Sequence, residues 1–402
     1  MLPKGWQVVE LAEIIRELES GVSVNGEDRP AWNGEIGVLK VSAISEGFFY
    51  AGENKAVLPS ERSRVRLSPR RGDILVSRSN TLNLIGASGY VEADYPTLFL
   101  PDKLWRVVLR DSARDSSPWL KHMLNWPCLR SQLRARASGT SASMKNISKQ
   151  SFLTIQIARP SFGTQSTIAD ILDRWDSTIR TLEALLSAKQ QFKRGLMQQL
   201  LAGKRRFKEF AGQKWKLRRF GEFLSESRIP GGNGNTARKL SVRLYGRGIS
   251  EKRETKVGSA ATRYYRRRAG QLIYSKLDFL NGAFAVIPPA LDDLESTLDL
   301  PAFDADSTVD VRWLLYFLVR PEFYTRQVGL AHGGRKARRV GPDDFLGIQA
   351  CVPSKPEQVR IADVLGALDR EIRLLGSQFE ALRRQKKGLM QKLLTGQIRV
   401  KC

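Results

Sequence analysis

Gln165-Ser-Thr-Ile-Ala-Asp-Ile-Leu172 and Gln358-Val-Arg-Ile-Ala-Asp-Val-Leu365 are nearly the same phrase, written twice at a spacing of 193 residues. Further on, Lys193-Arg-Gly-Leu-Met-Gln-Gln-Leu-Leu-Ala-Gly203 answers Lys386-Lys-Gly-Leu-Met-Gln-Lys-Leu-Leu-Thr-Gly396 at that same spacing. Upstream, Phe152-Leu153, Ile155-Gln156 and Pro160-Ser161 match Phe345-Leu346, Ile348-Gln349 and Pro353-Ser354. Residues 152–207 therefore align with 345–400 without a gap, the mark of an internal duplication.

Each copy reads as one long helix. Ile361, Leu365, Leu368, Ile372, Leu375, Phe379, Leu382, Leu389 and Leu393 alternate at spacings of four and three. Ile168, Leu172, Trp175, Ile179, Leu182, Leu186, Leu196 and Leu200 keep the same frame. A 3.5-residue period is a coiled-coil seam, narrower than the stripe of a helix lying on a globular core. The seams are alike, so the two helices are expected to pair with each other rather than each on its own domain. Lys193 and Lys386 interrupt them at equivalent places. Ser354 with Glu357 resembles a capping box, and Gly203 and Gly396 stand where a C-terminal glycine cap belongs. A helix of about 37 residues would span roughly 55 Å.

The segments between the helices are alike only faintly. Each opens near a tryptophan, Trp6 or Trp215. Strands are expected at 71–78, 104–109, 269–276 and 284–287. A helix is expected around 119–136 and again around 311–328. The expected fold class is α+β: two α/β modules, 1–151 and 208–344, alternating with two helical regions, 152–207 and 345–402, whose helices form an antiparallel coiled coil with a pseudo-twofold internal repeat.

Composition narrows the function. The 402 residues leave room for roughly two or three domains, and 42% are apolar, which suits globular domains. Lysine and arginine number 66 against 41 acidic residues, a formal charge of +25. Such a charge repels itself unless a polyanion takes it up, and nucleic acid is the first expected partner. A membrane is not expected: the longest strongly apolar run, Trp313-Leu-Leu-Tyr-Phe-Leu-Val319, falls far short of the ~20 residues a spanning helix needs. The start, Met1-Leu-Pro-Lys-Gly-Trp6, lacks the apolar core of a signal peptide. Cys128, Cys351 and Cys402 lie too far apart for a CxxC site, and a cytoplasmic protein is expected.

Catalytic motifs are missing. With only His122 and His332, histidine-rich metal sites are excluded, and neither lies near a nucleophile elbow; no metal and no catalytic residue is expected. Ile287-Pro-Pro-Ala290 lacks the polar and aromatic residues of an adenine-methylation motif. No GxxxxGK[ST] loop is present. Glu53-Asn54-Lys55 has nuclease spacing without an acidic partner and reads as a loop.

Two basic modules on a duplicated helical frame suit a split DNA site, because two copies of one reader meet two half-sites. At this point the sequence resembles the specificity subunit of type I restriction–modification enzymes. The resemblance rests on Leu2-Pro-Lys-Gly-Trp6, Arg71-Gly-Asp-Ile-Leu-Val76, Pro353-Ser-Lys-Pro-Glu357-Gln358 and, most specifically, Lys387-Gly-Leu-Met-Gln-Lys-Leu-Leu-Thr-Gly396. It implies two target recognition domains reading a bipartite double-stranded DNA sequence. It also implies antiparallel helices that set the spacer and dock two modification (methyltransferase) subunits, with restriction subunits joining. S-adenosylmethionine, ATP and Mg would then belong to those partners, leaving this chain without cofactors. Gly163-Thr164-Gln165 departs from the family's Pro-x-x-Glu-Gln, so the first helix is expected to start differently. The alternatives are a stand-alone DNA-binding regulator and a coiled-coil scaffold.

Phosphate contacts need cations and small polar groups, and base reading needs forked donors. In the first module the candidates are Arg70, Arg71, Arg78, Asn80, Arg134 and Arg136, then Thr140, Ser141, Lys145 and Asn146 in a Gly/Ser loop. In the second they are Arg247, Arg263, Tyr265, Arg266, Arg267 and Lys276, then Arg335, Lys336, Arg338 and Arg339 in the matching loop. Leu196, Met197, Leu200 and their counterparts Leu389, Met390, Leu393 are either coiled-coil core or a docking surface.

Overall fold

The computed structural model describes residues 3–45, 47–139, 144–253, 258–334 and 338–401. The chain divides into two compact units, residues 1–184 with 377–402, and residues 185–376. Each unit therefore takes one module, part of the first long helix and part of the second.

The long helices run Phe162–Leu200 and Lys355–Leu394. In unit 1, Ile168 and Leu172 share a core with Met390, Leu393 and Leu394. In unit 2, Leu200 and Leu201 share one with Ile361, Ala362 and Leu365. Early residues of one helix meet late residues of the other in both units, so the pairing is antiparallel. The ends of the seam do more than pair, however. Ile168 and Leu172 pack with Trp119 and Phe152 of the first module, and Ile361 and Leu365 with Trp313 and Phe345 of the second. Each helix thus pairs with its partner and also closes a module core, while Trp175, Leu182, Leu186, Leu368, Ile372, Leu375 and Phe379 stay half-buried along the seam.

The two lysine breaks are explained by their partners. Lys386 forms an ion pair with Asp176 inside unit 1, and Lys193 pairs with Asp369 at 2.5 Å inside unit 2. These are the same pair in the duplicated frame, since Asp176 and Asp369 are also 193 residues apart. A cation on an apolar seam is tolerated when a carboxylate opposite compensates its desolvation.

Both helices end as expected, with Gly203 at φ 67° and Gly396 at φ 73°. The N–H groups of Gly203 and Gly396 donate to the carbonyls of Leu200 and Leu393, one of the two Schellman bonds, and those of Arg205 and Ile398 reach back to Gln199 and Lys392. The capping box does not form: the Ser354 hydroxyl is buried without a hydrogen-bond partner. Glu357 turns instead to Arg206 at 2.7 Å and to the Trp215 indole at 3.0 Å. A capping box works only if the glutamate is spared for its own N-cap, and here a half-buried arginine and indole claim it. In the first copy Thr164 replaces that glutamate and its hydroxyl lies 3.0 Å from Ser161 Oγ.

Gln165 and Gln358 are fully buried and serve the same role. The Gln165 carboxamide accepts from the Ser116 N–H at 2.8 Å and donates to the Pro160 carbonyl at 3.0 Å. Gln358 accepts from the Asp310 N–H at 2.8 Å and donates to the Pro353 carbonyl at 2.9 Å. Beside each glutamine lies a two-stranded antiparallel ribbon, Gln7–Glu10 with Gln156–Arg159 and Lys216–Arg219 with Gln349–Val352.

The first module is built on a six-stranded sheet in the order Ile15–Ser20, Leu104–Leu109, Ile74–Ser77, Ser88–Tyr90, Gly47–Phe49, Ile44–Ser45, with a second sheet of four strands. The second carries a four-stranded sheet, Leu224–Ser227, Ala302–Ala305, Leu272–Tyr274, Phe284–Val286, and a three-stranded one containing Arg263–Arg266. The expected strands are present. The helices expected around 119–136 and 311–328 are each broken in two, because Pro127 and Pro321 lack an N–H and start a new helix. Ser116 and Asp310 cap the first pieces through the N–H groups of Trp119 and of Arg312 and Trp313. Glu53-Asn54-Lys55 is not a loop throughout: the strand Asn54–Val57 begins there, with Asn54 buried.

Candidate nucleic-acid interface

In unit 1 the fold brings two separate candidate segments together. Lys145–Asn146 pairs antiparallel with Ser79–Asn80, placing Lys145 opposite Asn80. Ser138 and Asn146 exchange backbone hydrogen bonds at 2.8 and 2.9 Å, closing the neck of the Gly/Ser loop. The Ile147 N–H donates to the carbonyl of Arg78 at 3.0 Å, which ties this neck to the end of the strand Ile74–Ser77. Arg78 is half-buried, and its Nε is enclosed without a hydrogen-bond partner.

Unit 2 repeats this construction. His332 and Arg339 exchange backbone bonds at 2.9 and 2.8 Å, and the Val340 N–H donates to the carbonyl of Lys276 at 3.1 Å. Asn146 and Arg339, and Ile147 and Val340, are again 193 residues apart, so Lys276 occupies the place of Arg78. Arg338 is exposed, and Arg339 lies 3.6 Å from Asp299. Thr140, Ser141, Arg335 and Lys336 lie outside the described residues.

The remaining candidates divide by burial. Arg70 and Arg71 are exposed beside a turn that Asp73 and Asp94 hold by accepting their backbone N–H groups. Arg136 is exposed and donates to the Ser151 carbonyl at 2.9 Å, while Arg134 is half-buried and donates to the Arg130 carbonyl. Arg247, Arg263 and Arg266 are exposed, and Tyr265 is half-buried. Arg267 is a correction: it is fully buried, donating to Ser296 Oγ and to the carbonyls of Ser227 and Leu300. Burial pushes its guanidinium down to about 10. Alternation along the strand explains this, since neighbouring side chains point to opposite faces; a run of three arginines in sequence does not show which one turns inward.

Among the described residues, one group has the spacing of metal ligands: His122, Asp173 and Asp176. His122 Nε2 lies 2.7 Å from Asp173. Both carboxylates are already occupied by ammonium groups, Asp173 by Lys121 and Asp176 by Lys386. Burial holds His122 down at about 4, so it is neutral at pH 7. The arrangement is a self-compensated polar joint between the helix Ser117–Asn125 and the first long helix. Sequence reasoning passed over it because its members come from three separate segments.

Comparison with known proteins gives likenesses to one kind of protein. Residues 3–188 match the type I restriction modification DNA specificity domain. The EcoEI specificity subunit of Escherichia coli is 30% identical over 191 residues, 47% of this chain. The first half of the chain is thus similar to type I specificity domains. That alignment spans 32% of the E. coli specificity subunit, about a third of its length. A type I specificity subunit named MjaX, from Methanocaldococcus jannaschii, aligns at 20% identity over 100% of this chain and 95% of its own. The fold is that of the crystallised S subunit from M. genitalium, with TM-score 0.61 and 13% identity over 97% of this chain and 96% of that one. A chain from a structural study of type I assembly and conformational transition gives TM-score 0.55 at 18% identity, covering 99% of this chain and 100% of its own.

Proposed function

We propose that this chain is the DNA-reading subunit of a type I restriction–modification complex, each module contacting one part of a bipartite double-stranded target. The observation that carries this reading is the pair of equivalent loops, a Gly/Ser-rich one at 138–146 that ends on Lys145-Asn146 and a basic one at 332–339, tied by the same backbone bonds to the same place in two otherwise divergent modules. A shared anchor with unlike side chains is what two half-sites of different sequence require. The chain itself does no chemistry and works in the cytoplasm. Two methyltransferase subunits and restriction subunits supply S-adenosylmethionine, ATP and Mg chemistry. No helix among the described residues is long and apolar enough to cross a membrane.

The test is to express the chain with and without its neighbouring modification subunit and to map methylated adenines genome-wide. A split motif with a fixed unspecified spacer, seen only with both proteins, is expected. Methylation by the chain alone would revive an enzyme, and none with an active partner present would point to a regulator or scaffold.

A further inference from the structure

A cavity of about 260 Å³ lies within unit 1, between the first module and the paired helices. Five basic side chains line it, Arg130, Arg134, Arg383, Lys386 and Lys387, against a single carboxylate, Asp176, which Lys386 already engages. Arg130 is 8% exposed and donates to the carbonyls of Ile85 at 2.5 Å and Asn83 at 3.1 Å. Carbonyls fix where a guanidinium lies but do not neutralise its charge, and an uncompensated buried cation is costly. Burial, reinforced by the charge of Arg134, lowers Arg130 to about 10, which still leaves it cationic at neutral pH.

The duplication supplies an internal control. Arg130 packs against Gly86, which has φ 63°; at the matching place in unit 2, Tyr324 packs against Gly282, which has φ 66°. Counting from the paired prolines, Pro127 and Pro321, Arg134 corresponds to Val328, and in the helix repeat Arg383 corresponds to Gln190. The fold is therefore satisfied by Tyr, Val and Gln where unit 1 has three arginines. Architecture does not demand these cations, so a ligand is the economical reason for them.

We propose that this cavity binds a phosphate group. Arg130 sits at the enclosed wall as the fixed fork, with Arg134 and Lys387 closing on the remaining oxygens. Guanidinium forks match phosphate geometry, and the buried apolar wall of Ile179 and Met390 strengthens the charge contacts beside it by keeping water from that side. The volume falls just below the roughly 300–1,000 Å³ of typical ligand pockets. It suits one phosphate with little beyond an attached sugar. Inorganic phosphate, a mononucleotide and a phosphodiester of bound DNA all present that group; the last source rests on the DNA-reading role proposed above.

The experiment uses the full chain and the double variant R134Q/K387Q, which leaves Arg130 and the Lys386–Asp176 pair in place. Calorimetry with sodium phosphate and with AMP is run beside salt-titrated binding of duplex DNA carrying the mapped motif. Saturable one-to-one binding of phosphate or AMP, weakened about tenfold or more in the variant, establishes a free phosphorylated ligand. Failure of either to bind, together with a log–log salt slope for DNA reduced by about one to two in the variant, establishes a DNA phosphate as the occupant. Unchanged phosphate binding and an unchanged slope overturn the proposal. If the double variant does not fold, K387Q, at an exposed position, reads the same quantities. A chain that takes phosphate through these residues yet ignores DNA would sink the DNA-reading function while keeping this site.

Discussion

The two units share a helical frame and a loop anchor but solve the joint between module and helix differently. Unit 1 meets the first long helix with His122, Lys121 and a buried lysine–aspartate pair. Unit 2 uses Tyr316, whose hydroxyl donates to Asp369 at 2.6 Å, beside a more open Lys193–Asp369 pair. At the start of the second helix, unit 2 adds Glu357 to Arg206 and Trp215, where unit 1 has only Thr164 and Ser161. Duplication preserved where the parts meet and left open which polar groups meet there.

The comparison breaks most readily at the lysine–aspartate pairs. Asp176 is 6% exposed, so Lys386→Met should strand a buried carboxylate and destabilise unit 1 by about 3–5 kcal/mol. The double variant K386M/D176N should recover most of that loss. Lys193→Met, beside an aspartate 28% exposed, should cost about half as much. Urea unfolding followed for each unit checks the order; equal costs would mean that the two pairs are energetically alike.

Arg267 offers the next largest effect. Arg267→Met removes a donor from the carbonyls of Ser227 and Leu300, the latter keeping the Ser296 hydroxyl, and should cost about 2–3 kcal/mol. The salt slope of DNA binding should stay unchanged, in contrast to a substitution at exposed Arg266, which should lower it by about one if that side chain meets a phosphate.

His122 distinguishes the units by pH. Its folded value, about 4, lies below the unfolded reference of 6.5. Between these values the unfolded chain binds the extra proton, so stability is full above about 6.5 and falls as pH drops toward 4, by roughly 3 kcal/mol. His122→Tyr, borrowing the residue of unit 2, should flatten this dependence in thermal melts taken across that window.

The smallest expected change is at the helix start. Glu357→Thr, which copies unit 1, should cost about 1–2 kcal/mol through the lost Arg206 and Trp215 bonds. An additional Arg206→Met change should then add little, because the two share one interaction.

Much of the frame was legible because a repeat at fixed spacing carries the long helices, their glycine caps and the equivalence of the loops. The lysine breaks at 193 and 386 were visible as exceptions, but their aspartates lie on the other helix, and sequence separation hides that meeting. The helices near Trp119 and Trp313 were found by their apolar faces, while the cost of Pro127 and Pro321 within them was underweighted. Arg267 was misplaced because charge suggested surface, whereas strand alternation put it among carbonyls. The pairing of Asn80 with Lys145 is a contact between distant segments of two residues each, too short for any periodicity to reveal.

The buried glutamines have a further consequence. Gln165 and Gln358 touch the modules chiefly through main-chain groups, the N–H of Ser116 or Asp310 and the carbonyl of Arg114 or Thr308, with one longer side-chain bond from Gln165 to Asp115 at 3.4 Å. A socket that grips mostly backbone keeps little record of the side chains plugged into it. Any cassette presenting the same turn should seat there, so new vocabulary can be acquired by exchange without revising the grammar of the joint.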